Sequence, residues 1–569
     1  MATLRSKTLF FVTSPRTPFK MLPEVKLLVE EFSDKTWNTD TQSQFAQRLS
    51  DAIFFAGTAV KDKAFSARDR INRAPKALGF VNLKPTIQLT EPGRQLLYGK
   101  RPYEIFTRQL LKFQLPSPFH KDPHNVFNVK PYLEILRLIY DLGSLSKDEI
   151  KVFAIQLTDY QKYDVIKNKI KQFRQDLLNL DRNVTNYKRF LYSTLLNETM
   201  KIYCAEIKTG NIKTRESSEK SVASFIKTKM DNARDYADAC FRYLRATELV
   251  VASKSGAYLK VSDDKIADVE YIIKTVDRKP TNFLNEKEYK AYLFNPNTPI
   301  LITDDKVSII KTIERYGIKQ ELYNKLSLEQ LKDYRDDLIA NKRKENVAKN
   351  AIELRTYNQY SEIISLFKQL MGKRVPVDSP LLLEWNVWRA FAMLNDGQIE
   401  GNFKVDDEGT PLMTAPGNKP DIECRYKDFN SIIEVTMSTG QKQYEMEGEP
   451  VARHLGKFKK ENKSKDTFGI FIAKSINDAT LAHFYTLHKV PVSYYGGISK
   501  IIPLDIETLI KMLTVANSCK QKPSSKHLLN FLKTAAEASN TATDEKNWYD
   551  EIKRLAKEWV DLTNRGYIA

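Results

Sequence analysis

The spacing of apolar positions changes several times along the chain, and each change predicts a different kind of element. From Ala64 to Arg73 (AFSARDRINR) apolar residues recur at the helical period. The runs ALGFV and TIQL that follow read as two short strands flanking Asn82 to Pro85. Thr90 then caps a new helix, with Pro92 in the first turn, where a missing N–H costs nothing. Helix, short hairpin, capped helix is the order of a winged helix-turn-helix. The order returns further on. Ser146-Lys147-Asp148-Glu149 before an apolar run is a capping box, and Asn232 to Thr247 reads as a helix. LVVAS and AYLKVS form a hairpin around Lys254 to Gly256, and DDKIADVEYII opens another helix.

From about residue 299 to 378 the chain is charge-rich and helical in period, with no proline from Tyr323 to Met371, the pattern of a helical connector. Gly372 and Pro376 to Pro380 break it. The apolar helix LLLEWNVWRAFAML follows, with Glu384, Trp388 and Phe391 on one face. A carboxylate on an apolar stripe is a local conflict, and such conflicts gather at functional sites. NFKV and PLMT read as a hairpin around Asp406 to Gly409. A strand begins at Asp421, with Ile422, Cys424 and Tyr426 alternating against Glu423 and Arg425. After a turn at Lys427 to Asn430 comes the strand SIIEVTM. Its period of two sets Ile432, Glu434 and Thr436 on one face and Ile433 and Val435 on the other. A helix over residues 447–462 carries Glu447 and His454, seven apart and so on one face. FGIFIA reads as a buried strand, NDATLAHFYTLHK as a helix, and KIIPL as a strand before a helix from Asp505. This order predicts a mixed sheet covered by helices. The whole reads as a multidomain α+β chain: winged-helix subdomains at 1–125 and 126–298, a helical linker at 299–378, and an α/β domain at 379–569.

Composition narrows the function. A chain of 569 residues is too long for one core. With 42% hydrophobic and 28% charged residues it is globular rather than disordered. The net charge of +19 fits a polyanion partner, and equally fits a solvated lysine surface. Four cysteines without a CxxC, and six scattered histidines, argue against a zinc ribbon and fit a reducing cytoplasm. The apolar run Leu9 to Val12 is too short for a signal peptide, and no segment approaches the ~18 apolar residues of a membrane span. Arg68 and Arg70 on the first helix, and Arg234, Arg242 and Arg245 on the later one, are the candidates for contacting base edges and phosphates in a DNA groove. Each taken singly is as well explained as part of a solvated basic face.

The chemistry concentrates on two acidic residues. A hairpin with Asp421 at the start of one strand and Glu434 within the next can bring both carboxylates to one edge. Two carboxylates, a backbone carbonyl and waters form the hard oxygen set that Mg²⁺ prefers. Taken alone, Asp421 is a turn cap and Glu434 a residue on a solvated sheet face. Pro before the Asp, and the apolar strand around the Glu, favour the metal site.

Pro420-Asp421, twelve residues, then Glu434-Val435-Thr436 resembles the PD-(D/E)XK nuclease core. LLLEWNVW, APGNKPD and EVTMSTGQKQYEMEGEPVARH resemble the AlwI-like type IIS restriction endonucleases, whose relatives include strand-nicking enzymes. SPRTPFKMLPE, AFSARDR, FQLPSPFHK and KMDNARDYADACFRYLR extend the likeness from about residue 10 to 505. The resemblance implies winged-helix recognition of double-stranded DNA and a C-terminal cleavage domain in a bacterial restriction-modification system. It implies Mg²⁺ held by Asp421, Glu434 and the carbonyl of Val435. Glu384 and Glu447 would be further ligands or water holders, and His454 would orient or deprotonate water. It also implies cutting at a fixed distance outside a short asymmetric site, with a transient homodimer or second catalytic subunit for the other strand. One position departs from the superfamily pattern: the usual Lys two residues after the Glu is Thr436, which leaves its role to a second metal, to His454 or to a lysine such as Lys442. Two other readings stand beside the nuclease: a catalytically silent winged-helix regulator, against which the acidic pair argues, and an RNA-processing enzyme.

Overall fold

The computed structural model describes residues 2–563, apart from positions 5, 16, 53–61, 180–183, 215–218, 253–257, 319–322, 324, 373–378, 395, 406–410 and 414–418. The tip of the expected hairpin at Lys254 to Gly256, that at Asp406 to Gly409 and most of the Pro376–Pro380 break lie outside the described residues. The chain divides into two compact units at Asp336 and Asp337, inside the helix Leu328–Leu354. The stretch 299–378, expected as a connector, is thus shared. Its later part supplies Leu354, Ile363, Phe367 and Leu370 to the core of the second unit.

The first unit is mostly helical. Helix Lys63–Ala77 is followed by the antiparallel strands Val81–Asn82 and Gln88–Leu89, then by helix Glu91–Tyr98. The Thr90 hydroxyl accepts the Gly93 N–H at 3.1 Å, so the expected cap forms. Gly93 is required there: a Cβ would lie 2.0 Å from the Phe80 carbonyl oxygen. Further on, Ser146 and Glu149 close a reciprocal capping box at 3.0 and 2.7 Å. Helix Val222–Arg245 leads into a three-stranded antiparallel sheet with Tyr258–Val261 between Leu145–Ser146 and Val250–Ala252.

One group of buried charges in this unit pairs opposite signs. Arg335, 2% exposed, donates to Asp268 at 2.6 Å. Lys332 lies 3.0 Å from Asp304 and 3.5 Å from Glu104, and Arg108 donates to both oxygens of Asp304. Burial alone would raise the Asp304 pKa. The Leu301 N–H, Arg108 and Lys332 outweigh it and hold Asp304 below its ordinary value.

The second unit is a five-stranded mixed sheet between helices. Its elements run α1 (Ser379–Leu394), β1 (Gln398–Gly401), β2 (Ile422–Arg425), β3 (Phe429–Thr436), α2 (Gln441–Glu461), β4 (Asp466–Ala473), α3 (Asp478–Lys489), β5 (Ile501–Asp505) and α4 (Ile506–Ser518). The sheet order is β5-β4-β3-β2-β1. β1, β2 and β3 pair antiparallel, while β3, β4 and β5 pair parallel. The parallel steps need crossovers, and α2 and α3 supply them. β4 is buried along nearly all of its length, as a central parallel strand should be. One edge strand is β1, upstream of the expected hairpin. That hairpin forms its own two-stranded ribbon from Lys404–Val405 and Pro411–Met413. Helices Ser525–Thr541 and Glu545–Lys557 complete the unit, burying Phe531, Trp548 and Ile552.

Candidate active site

The site is built where β2 begins and β3 ends. The antiparallel register pairs Ile422 with Ile433, so one further step sets Asp421 across from Glu434. Side chains directly opposite on neighbouring strands share a face. Asp421 Oδ2 accepts the Val435 N–H at 2.7 Å, which ties the start of β2 to the end of β3. Asn402 steadies the approach from the other side: its N–H donates to the Asp421 carbonyl at 2.9 Å and its amide to the Pro420 carbonyl at 2.8 Å.

Two helices bring the remaining groups. α1 packs on β3, and its Glu384, 6% exposed, contributes negative charge at Glu434. α2 carries Glu447 and His454. His454 Nδ1 lies 2.7 Å from Glu434 Oε1; an ionised carboxylate can only accept, so when Glu434 is charged Nδ1 carries the proton of that bond. Glu447 Oε1 accepts the Thr436 hydroxyl at 2.8 Å. The structure therefore brings Glu384, Asp421, Glu434, Glu447 and His454 into one electrostatic neighbourhood.

The carboxylates are out of balance with their surroundings. Burial, reinforced by Glu434 and Glu447, pushes the Asp421 pKa well above the carboxylate range. Burial, then Glu447 and Glu384, does the same to Glu434. Glu447 is also raised by burial, although the Thr436 hydroxyl and His454 oppose the shift. Arg453 is the cation that favours charge on Glu434, and it is itself 3.2 Å from Glu449. A cluster of this sign suits a hard cation that brings charge and accepts oxygen ligands. Among the described residues, no group of three or more His, Cys, Asp or Glu is already drawn together in metal-binding geometry. The oxygens are engaged instead by the Val435 N–H, His454 and Thr436.

Sequence reasoning passed over two supports of this cluster. Gln443 is fully buried: its amide donates to the Ser438 and Ser475 carbonyls, and its oxygen accepts the Asn477 N–H at 2.9 Å. It fastens the start of α2 to the loop after β4. Neither Gln443 nor Asn402 has a neighbour pattern that marks it, because each acts on backbone groups distant in sequence. Lys442, a candidate for the missing lysine, is exposed at the start of α2.

The five arginines of the first unit fare differently from one another. Arg68 is exposed, its guanidinium 5.4 Å from the centroid of the Phe65 ring, and Arg234 is exposed beside Asp231. Arg70 is half-buried and paired with Glu24, and Arg242 is held by Asp238 at 3.2 Å. Arg245 is 5% exposed, within the core of its unit.

The sequence profile of the AlwI restriction endonuclease family matches residues 76–512. No curated protein matches the chain. Among solved structures, the small subunit (R.BspD6I2) of the heterodimeric restriction endonuclease R.BspD6I is 24% identical, with a TM-score of 0.27, over 36% of this chain and 98% of that one. The BpuJ1 endonuclease binding domain, solved with pyrene- and phenanthrene-modified DNA, is 15% identical, with a TM-score of 0.32, over 48% of this chain and 92% of that one. With well over half of its length matched by the profile, the chain belongs to the AlwI restriction endonuclease family.

Proposed function

We propose that this protein is a Mg²⁺-dependent type IIS endonuclease, reading a short asymmetric duplex site with its first unit and hydrolysing phosphodiester bonds outside that site with its second. The observation that carries the reading is the set of like-signed carboxylates, buried or half-buried, gathered where β2 and β3 meet. Nothing in ordinary folding favours such a set, since each member raises the cost of charging the others. A divalent cation removes that cost.

Asp421, Glu434 and the Val435 carbonyl are the groups that would hold Mg²⁺. When bound, the ion supplies the charge that polarises the phosphodiester and eases deprotonation of the attacking water. Glu447 and Glu384 hold water or a further cation. His454, held by Glu434, orients water and moves its proton. This is the hairpin-borne acidic pair of a PD-(D/E)XK nuclease. The helix–hairpin–helix segments around residues 63–98 and 222–275 are winged-helix recognition elements in this reading, with Arg68 and Arg234 as the groove-facing cations. One site cuts one strand, so cleavage of both requires a second copy or a second catalytic subunit, and without it the product is a nick. No helix among the described residues is long and apolar enough to cross a membrane.

Incubation with supercoiled plasmid and Mg²⁺ tests the reading. Open circles or linear DNA are expected, and run-off sequencing then gives site, offset and strand. A plasmid that stays supercoiled at every Mg²⁺ concentration leaves a DNA-binding regulator.

A further inference from the structure

Thr436 stands where the superfamily pattern has a lysine, and the structure gives it a different task. We infer that Thr436 is a positioning residue that fixes Glu447 beside the Asp421–Glu434 pair; the inference rests on the nuclease reading above. Thr436 is the last residue of β3 and is buried, on the same face as Glu434. The Ser438 N–H donates to its hydroxyl oxygen at 3.0 Å. A hydroxyl has a single proton, and with one lone pair committed to Ser438 that proton points at Glu447 Oε1, 2.8 Å away. The direction of the bond is thus set by the backbone of the β3–α2 connection rather than by a freely turning rotor.

The consequence is geometric. Glu447 sits on the second turn of α2, on a long side chain whose rotamers would otherwise be sampled freely. With Oε1 held by Thr436, Oε2 remains for a water or a cation. A lysine at 436 would add charge to the cluster. Threonine is too short and is neutral, so its contribution is orientation. Gln443 holds the frame in which this works, because it pins the Ser438 carbonyl next to the N–H that aims the hydroxyl. Groups that orient ligating side chains in this way typically change metal affinity or activity by about 10–100-fold when removed.

The test uses full-length T436V, T436S, E447A and the T436V/E447A double variant. Plasmid cleavage under Mg²⁺ is one readout, and Mn²⁺ binding by calorimetry without DNA is the other. T436V, which keeps the side-chain shape, is expected to slow cleavage and weaken Mn²⁺ binding by about 10–100-fold. T436S is expected to restore most of both, and the double variant to be no slower than E447A alone. Duplex binding is expected to stay at the parental level throughout. A T436V that cuts and binds Mn²⁺ like the parent while E447A is impaired overturns the positioning role and leaves the nuclease reading standing. So does a T436S as poor as T436V. E447A at parental activity removes Glu447 from the site, and the inference with it. A parent chain that never cuts removes the reading itself. If T436V does not melt cooperatively, T436A takes its place.

Discussion

Two clusters, one in each unit, bury charge in opposite ways. In the first, Arg335 meets Asp268, and Lys332 and Arg108 meet Asp304, so each carboxylate has a cation within reach. In the second, Asp421, Glu434, Glu447 and Glu384 lie among one another, with His454 and the more distant Arg453 as their positive company. Balanced burial fixes a shape. Unbalanced burial leaves a demand for a cation, and in the proposed reading that demand is what the second arrangement uses. The sign of the pKa shift tells the two apart: Asp304 is lowered, whereas Asp421 and Glu434 are raised.

The largest way to break this contrast is at the acidic pair. D421A or E434A should reduce plasmid cleavage by about 10²–10³-fold, the scale of losing a central electrostatic group, while gel-shift binding to duplex DNA stays unchanged. Residual cutting near the parental rate in either variant would remove the pair from the chemistry. Next comes the balanced side. R335A leaves Asp268 buried without its main cation, and should cost about 3–5 kcal/mol of stability, read by denaturation with hydrogen exchange localised to the first unit. Replacing Arg335 and Asp268 together by Met and Leu should recover most of it.

Cation binding sharpens the comparison further. Mn²⁺ at 100 times its dissociation constant should stabilise the second unit by about 2.7 kcal/mol and leave the first unmoved, and D421A should abolish the effect. The pH response should split in the same way. Asp421 and Glu434 have ordinary values of 3.8 and 4.5 and are raised in the fold, so the native state binds more protons than the unfolded one above that range. In chelator, the second unit should therefore be most stable near or below pH 4 as far as these groups are concerned, and lose stability as pH rises through the raised values. Asp304 is lowered, so its contribution is present above about 3.8 and is lost as pH falls through the folded value. Parallel profiles from the two units would contradict the distinction. The smallest effect is Q443A, which leaves the Ser438 and Ser475 carbonyls and the Asn477 N–H without that partner, at about 1–3 kcal/mol of second-unit stability.

Much of the local structure was readable from the residues. Thr90 and Ser146 marked their helix starts because a cap depends only on groups three residues away. The buried strands β3, β4 and β5 were legible from their branched and aromatic runs. Elements with weak local signals were harder. β1 (Gln-Ile-Glu-Gly) is an edge strand with no apolar run, and pairing with β2 is what defines it. α2 begins at Gln441, six residues before the expected start, because Gln443 anchors its first turn through contacts from Ser475 and Asn477. The β2–β3 turn is also tighter than expected, with β3 already begun at Phe429.

The residues alone determined the alternation that makes β2 and β3 a hairpin, and with it the face shared by Glu434 and Thr436. Periodicity is a local property and survives without knowledge of neighbours. Only the tertiary structure decided which charges are answered. Whether Arg245 is buried, whether Arg70 finds Glu24, and whether Glu384 and Glu447 arrive at Glu434 depend on helices folded in from distant parts of the sequence. The free energy of a charge is set by what surrounds it in space, and no spacing along the chain encodes that.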